Sequence, residues 1–184
     1  MTTKTLNISE EQLVDYSKAH NEPSWMTELR KKALKLTETL EMPKPDKTKL
    51  RKWDFDTFKQ HHTTGDSYHQ LTDLPKSVKE IIDVENSENL IIQHNNDLAY
   101  TQISDQAKND GVIIEGLSEA LVNHSDLVQK YFMTKAVNVD EHRLTALHTA
   151  LVNGGIFVYV PKNTVVEHPI QYVVLHDDEQ ASFD

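Results

Sequence analysis

Apolar residues recur at helical spacing in the first quarter of the chain and at strand spacing in its last fifth. In "SEEQLVDYSKAHN", Ser9 and Gln12 fit a capping box, and Leu13 and Tyr16 lie three residues apart on one face. The pattern predicts a short helix over about 9–20. In "EPSWMTELRKKALKLTETLEMP", Met26, Leu29, Ala33, Leu36 and Leu40 follow at intervals of 3, 4, 3 and 4. That is one apolar stripe, with Ser24 placed to cap it and Pro43 and Pro45 to end it. Glu28 and Lys32 stand at i, i+4 in the favourable order for an ion pair. A stripe this regular packs a core or meets a partner.

Residues 43–77 carry no such period. Polar residues dominate, and Trp53, Phe55 and Phe58 are spaced through them. The pattern predicts a long connector whose aromatic side chains dock on a neighbouring surface. Beyond it the period changes. "NLIIQHNNDLAYTQI" holds two strand-like runs joined at Asn95-Asn96-Asp97, residues that tolerate positive φ, so a β-hairpin is expected. "DGVIIEGL" predicts a further strand after a turn. From Ser118, Leu121, Leu127, Val128, Tyr131 and Phe132 return to helical spacing, with a break expected near His124-Ser125-Asp126. "DEHRLTALHTALVNGG" predicts another helix, with Leu144, Leu147 and Leu151 on one side and Gly154 at C′. "IFVYV" is apolar on both alternating faces and predicts a strand covered on both sides. "TVVEHPIQYVVLH" predicts another strand before the polar tail "DDEQASFD".

Composition narrows the function. The chain has 184 residues and a net charge of −10, from 19 basic and 29 acidic side chains. That balance argues against nucleic acid and against an anionic membrane surface as partners, since both need a basic footprint. The basic run "KTKLRKW" is a local exception and reads as a solvated linker. The chain has no cysteine, which removes disulfides, thiolate metal sites and a Cys nucleophile, and suits the cytoplasm. No apolar leader and no membrane-length apolar window is expected from the sequence.

Candidate chemistry is sparse. His61, His62 and His69, with Asp66 between them, form the one tight histidine group, but the segment reads as loop. His142 and His148 do not share a helical face, and His168 and His176 stand eight apart on the expected last strand, too far for a common ligand. Ser118, Ser125 and His124 have no triad spacing, and Gly154-Gly155 has no phosphate-loop context. Asp177-Asp178 reads as a solvated pair in the tail. No catalytic, cofactor-binding or metal residue is assigned, and no cofactor is expected.

The run "DEHRLTALHTALVNGGIFVYVPKNTVVEHPIQ" resembles the core signature of the SufB/SufD family of iron–sulfur assembly proteins. "NEPSWMTELRKKALKLTETLEMPKP", "KLRKWDFDTF", "GVIIEGLSEAL" and "LVQKYFM" resemble its other blocks in order, and Lys-Trp-Asp-Phe soon after the prolines is closer to its D branch. The resemblance implies an α+β fold: N-terminal helices, then a mixed α/β region leading into the start of a right-handed parallel β-helix. It divides the chain into a helical region 1–45, a connector 46–77 and an α/β region 78–184. Family members are much longer, so the chain resembles an N-terminal region without the rest of the β-helix and the C-terminal domain. The resemblance implies a cytoplasmic, non-catalytic scaffold subunit working with SufB-like and SufC-like subunits. Uncovered strands at 156–176 also lead us to expect strand-mediated self-association of this chain. Two other readings stay open on the residues alone. One is a β-helix or cupin-like carbohydrate-active enzyme, which needs carboxylates or histidines converging on one strand face. The other is a helical interaction module using the Trp25–Leu40 helix.

Overall fold

The computed structural model describes residues 7–50, 53–55 and 66–177. These form two compact units. One takes the described residues up to 55 together with 121–152; the other takes 66–120 and 153–177. N-terminal helices followed by strands bear out the mixed α and β class.

The first unit is helical. Helix α1, Glu10–Ala19, opens with the expected capping box: the Ser9 side chain accepts from the Gln12 N–H, and the Gln12 side chain accepts from the Ser9 N–H. Helix α2, Ser24–Thr39, begins one residue past Pro23, which occupies the N-cap position without a side-chain bond. Ser24 is therefore inside the helix and does not cap it. The fully buried stripe of α2 runs through Met26, Arg30, Ala33 and Thr37, at intervals of 4, 3 and 4. Leu29, Leu36 and Leu40 flank it half-buried. Lys31 stands 3.0 Å from Glu28 and 3.3 Å from Glu10, so Glu28 pairs at i+3 with Lys31 and the expected Lys32 pairing does not form. The reach of Lys31 across to α1 decides this.

Helix α7, Arg143–Leu151, joins the same core, where Leu13, Ala33, Val139 and Ala150 are buried together. It starts on a His142–Thr145 capping box and ends at Val152, which has extended ψ. Gly154 is thus not its C′ residue. A Cβ on Gly154 would sit 2.6 Å from the Asn96 carbonyl oxygen, so glycine is required there by backbone approach. Gly155 carries the positive φ, +120°. Between these helices, α5 (Leu117–Asn123) and α6 (Ser125–Tyr131) are separated at His124, as the sequence pattern predicts. The connector's Trp53 stacks on Phe55 with ring centroids 6.0 Å apart. Trp53 is nevertheless 64% exposed, so it does not dock as expected; Phe58 lies outside the described residues.

The second unit is built on two small sheets. Strand β1, Asn89–His94, and β2, Asp97–Gln102, form the expected hairpin, with Asn95 at φ 53° in its turn. Strand β5, Ile170–Leu175, adds to the other side of β1 in parallel register, Ile91 opposite Tyr172. Strand β3, Ile113–Gly116, pairs antiparallel with β4, Ile156–Tyr159, Ile114 opposite Val158. Strand β1 is buried along its whole length because it is central and both faces carry apolar neighbours. Leu90 and Ile92 pack with Leu74, Val78 of helix α3 (Lys76–Lys79), Ile82 and Ala99. Ile91 packs the other way, with Ala107 of helix α4 (Asp105–Asn109), Val112 and Ile114.

That second layer is open at one end. Opposed residues of a pair share a sheet face. Tyr172 therefore lies on the Ile91 face and Val158 on the Ile114 face, both turned toward the packed layer. Ile156 and Ile170 are drawn into it, yet Val158, Tyr172 and Val174 keep 40–42% exposure. The expectation that "IFVYV" is covered on both sides fails here: β4 ends its sheet, and the apolar layer stops at Ile156.

Candidate functional site

Two clusters of buried polar side chains stand out, one in each unit. In the helical unit, Arg30 is 2% exposed. Its Nη2 donates to Glu22 Oε1 at 2.5 Å and its Nε to Glu22 Oε2 at 2.8 Å, a two-point fork. Its Nη1 donates to the Ala150 carbonyl at 3.0 Å. Ser17 Oγ donates to Glu22 Oε2 at 2.7 Å, and the Arg30 guanidinium stands 5.0 Å from the Tyr16 ring centroid. One buried pair thereby ties the turn after α1, helix α2 and the end of α7. Arg143 repeats the device: its Nε donates to the Thr37 carbonyl at 2.9 Å, and its own N–H donates to the Glu41 carbonyl. Trp25 Nε1 donates to Ser125 Oγ at 2.8 Å. Ser125 is thus spoken for by an indole and faces no histidine base in that role.

In the second unit the cluster surrounds His94, the last residue of β1. Its Nδ1 accepts the Asp66 N–H at 2.8 Å, and its Nε2 lies 2.9 Å from Asp177 Oδ2, off the line of an aligned hydrogen bond. Asn95 holds Asp177 as well, donating Nδ2–H to Oδ1 at 3.0 Å and accepting the Asp177 N–H at 3.3 Å. Asp177 is therefore no idle tail residue. The His94 ring nitrogen beside it, then the Asn95 bond, hold its carboxyl below the usual range. Burial, then the charges of Asp66 and Asp177, pushes the Tyr68 phenol above its ordinary value.

Of the histidine group read from the sequence, His61 and His62 lie outside the described residues, and His69 is exposed. Asp66 turns to His94 instead. His142 caps α7 and His168 faces Glu88, 3.7 Å away. His168 precedes β5 and His176 follows it, so neither is on the strand. Among the described residues no three His, Cys, Asp or Glu side chains gather as a metal site. The geometry offers ties between segments and an open apolar layer. Among the described residues no nucleophile stands against a base, and no carboxylate pair is set across a cleft.

Most of the chain matches known proteins. The family profile described as "SufBD protein N-terminal region" matches residues 9–172. The chain belongs to the SufBD family. It is 46% identical over 178 residues to the iron–sulfur cluster assembly protein SufD of Bacillus subtilis, covering 96% of this chain and 41% of that protein. It is 30% identical over 179 residues to an iron–sulfur cluster assembly SufBD family protein of Pyrococcus horikoshii, covering 92% and 40%. A SufBD family protein of Staphylococcus epidermidis is 26% identical over 187 residues, covering 96% and 40%. The chain spans about two-fifths of the length of these relatives. Glu22, Trp25 and Arg30 of the "NEPSWMTELR" block are side chains that lock the helical unit. Sequence reading found the block but not this pairing. Arg30 sits one turn after Met26 on the apolar stripe, and that misplaced charge was the available signal.

Proposed function

We propose that this chain is the N-terminal region of a non-catalytic, SufD-like scaffold subunit of the SUF iron–sulfur assembly machinery, working in the cytoplasm with SufB-like and SufC-like subunits. The single observation that carries the reading is 46% identity to a protein named SufD along 96% of the chain. The clusters add to it, since they join separate segments of the chain. The chain has no cysteine, so a cluster cannot be held here by thiolates, and iron–sulfur cargo belongs on other surfaces. No helix among the described residues is long and apolar enough to cross a membrane.

The open layer at Val158, Tyr172 and Val174 supports the further proposal that β4 and β5 begin a right-handed parallel β-helix. The parallel β1–β5 pair is the kind of pairing such a stack repeats. Strands β4 and β5 each lie at a sheet edge, which permits strand pairing with a second copy. In sequence order we retain the division into 1–45, 46–77 and 78–184, with residues 121–152 clustering with the N-terminal helices.

The non-catalytic reading is tested on the purified chain. Incubation with ATP or with polysaccharides is expected to give no hydrolysis above buffer, and anaerobic reconstitution no stoichiometric iron with charge-transfer absorption. Turnover that disappears on substituting one side chain of this chain overturns the reading.

A further inference from the structure

Asn153 is the one asparagine in the chain that is followed by glycine, and the fold requires that glycine. A Cβ at position 154 would meet the Asn96 carbonyl oxygen at 2.6 Å, so no larger residue fits after Asn153 unless the backbone moves. The pair lies between α7 and β4, where residues 152–155 belong to no helix or strand. Asn153 and Gly154 are both half-buried, so water reaches them. Among the described residues no group accepts a hydrogen bond from the Gly154 N–H. Asp110-Gly111 is the comparable acidic pair, and it is shielded. There the Gly111 N–H donates to the Lys108 carbonyl at 3.0 Å, and the Asp110 carboxylate accepts from Gln106 Nε2.

We propose that Asn153 is a site of spontaneous covalent modification, deamidation through a succinimide, in the folded protein. The Gly154 backbone nitrogen attacks the Asn153 side-chain carbonyl carbon. A new N–C bond closes a five-membered ring, and the bond from that carbon to the side-chain nitrogen breaks. The proton lost by the Gly154 nitrogen passes to the departing nitrogen, which leaves as ammonia. Water then opens the ring at either carbonyl and yields aspartate or isoaspartate, with no oxidant or reductant involved. Glycine at 154 favours the attack because it has no side chain to crowd the nitrogen. Each product exchanges a neutral amide for a carboxylate, which changes the local electrostatics as other charge-adding modifications do. Isoaspartate also routes the main chain through the side-chain methylene, so the backbone gains one carbon just before Gly154. The Gly155 carbonyl accepts the Leu117 N–H at 2.9 Å, beside the Gly116–Ile156 pair that ends the β3–β4 ladder. The lengthened link loosens that end of the ladder.

Ageing the folded protein in mildly alkaline buffer, followed by peptide mass analysis, reads the site. The peptide holding Asn153 is expected to gain about 1 Da, and to accept a methyl group from an isoaspartyl methyltransferase supplied with S-adenosylmethionine. The peptide holding Asp110-Gly111 is expected to accept none over the same time. Asn153→Gln, which would need a six-membered ring, should abolish the signal. In the aged fraction separated by its added charge, the Leu117 amide should lose about tenfold in protection from hydrogen exchange, the worth of one hydrogen bond. The Ile91 amide, within β1, should keep its protection. The same chain unfolded in urea gives the reference rate. An Asn153 that stays intact in the folded protein while the unfolded chain converts overturns the proposal. Equal methylation at Asp110-Gly111, or an unchanged Leu117 amide in the converted fraction, overturns it too.

Discussion

Arg30→Ala is expected to destabilise the helical unit by about 3–5 kcal/mol, the usual result of removing one partner of a buried ion pair. Both side chains are within 5% of complete burial. Alanine leaves the Glu22 carboxylate in a low-dielectric site with Ser17 as its remaining side-chain donor, and it strips the Ala150 carbonyl of the guanidinium N–H. Loss of the buried charge's partner is what costs most, not loss of the attraction itself. It follows that Arg30→Met combined with Glu22→Gln recovers the greater part of the loss, since neither residue then carries a buried charge. Urea unfolding followed by circular dichroism at the helical band measures both. A single variant with an unchanged midpoint, or a double variant worse than the single, contradicts the tie described for this pair.

Ile91→Ala is expected to cost about 2–5 kcal/mol, and Ile91→Val about 0.5–1.5 kcal/mol. Ile91 is wholly buried in the central strand and fills the layer against Ala107, Val112 and Ile114. Paired strands on both sides hold β1 in place, so the layer cannot collapse readily into the space left. Val158→Ala is the control, because that side chain faces the same layer at its open end and is 40% exposed. Truncating it should cost well under half as much. Chemical denaturation of the three variants decides the matter, and equal losses at Ile91 and Val158 would show that the layer is closed where the structure leaves it open.

What the sequence made legible was local. The Ser9–Gln12 capping box, the Asn95 hairpin and the break at His124 each rest on residues within a few positions, where spacing and side-chain chemistry determine geometry. The family was legible for a related reason, as its blocks keep their order along the chain. Long-range ties were not legible. Arg30 is buried because the Ala150 carbonyl, 120 residues on, completes its bonds, and periodicity alone assigns a charge to the surface. Gly154 reads as a helix stop until Asn96 is seen against it. Asp177 reads as solvated tail until the parallel pairing of β5 carries it to His94. Glu28 chose Lys31 over Lys32 because α1 supplies Glu10 to the same ammonium. In each case the deciding partner lies on another element.

The role proposed for this chain is to hold other subunits without contributing chemistry of its own. Its most direct test is capture of purified SufB-like and SufC-like subunits by the protein that carries this chain. The account predicts a complex of fixed stoichiometry that persists through gel filtration. Separate elution of the subunits, from a protein whose helices and strands are folded by circular dichroism, would contradict it.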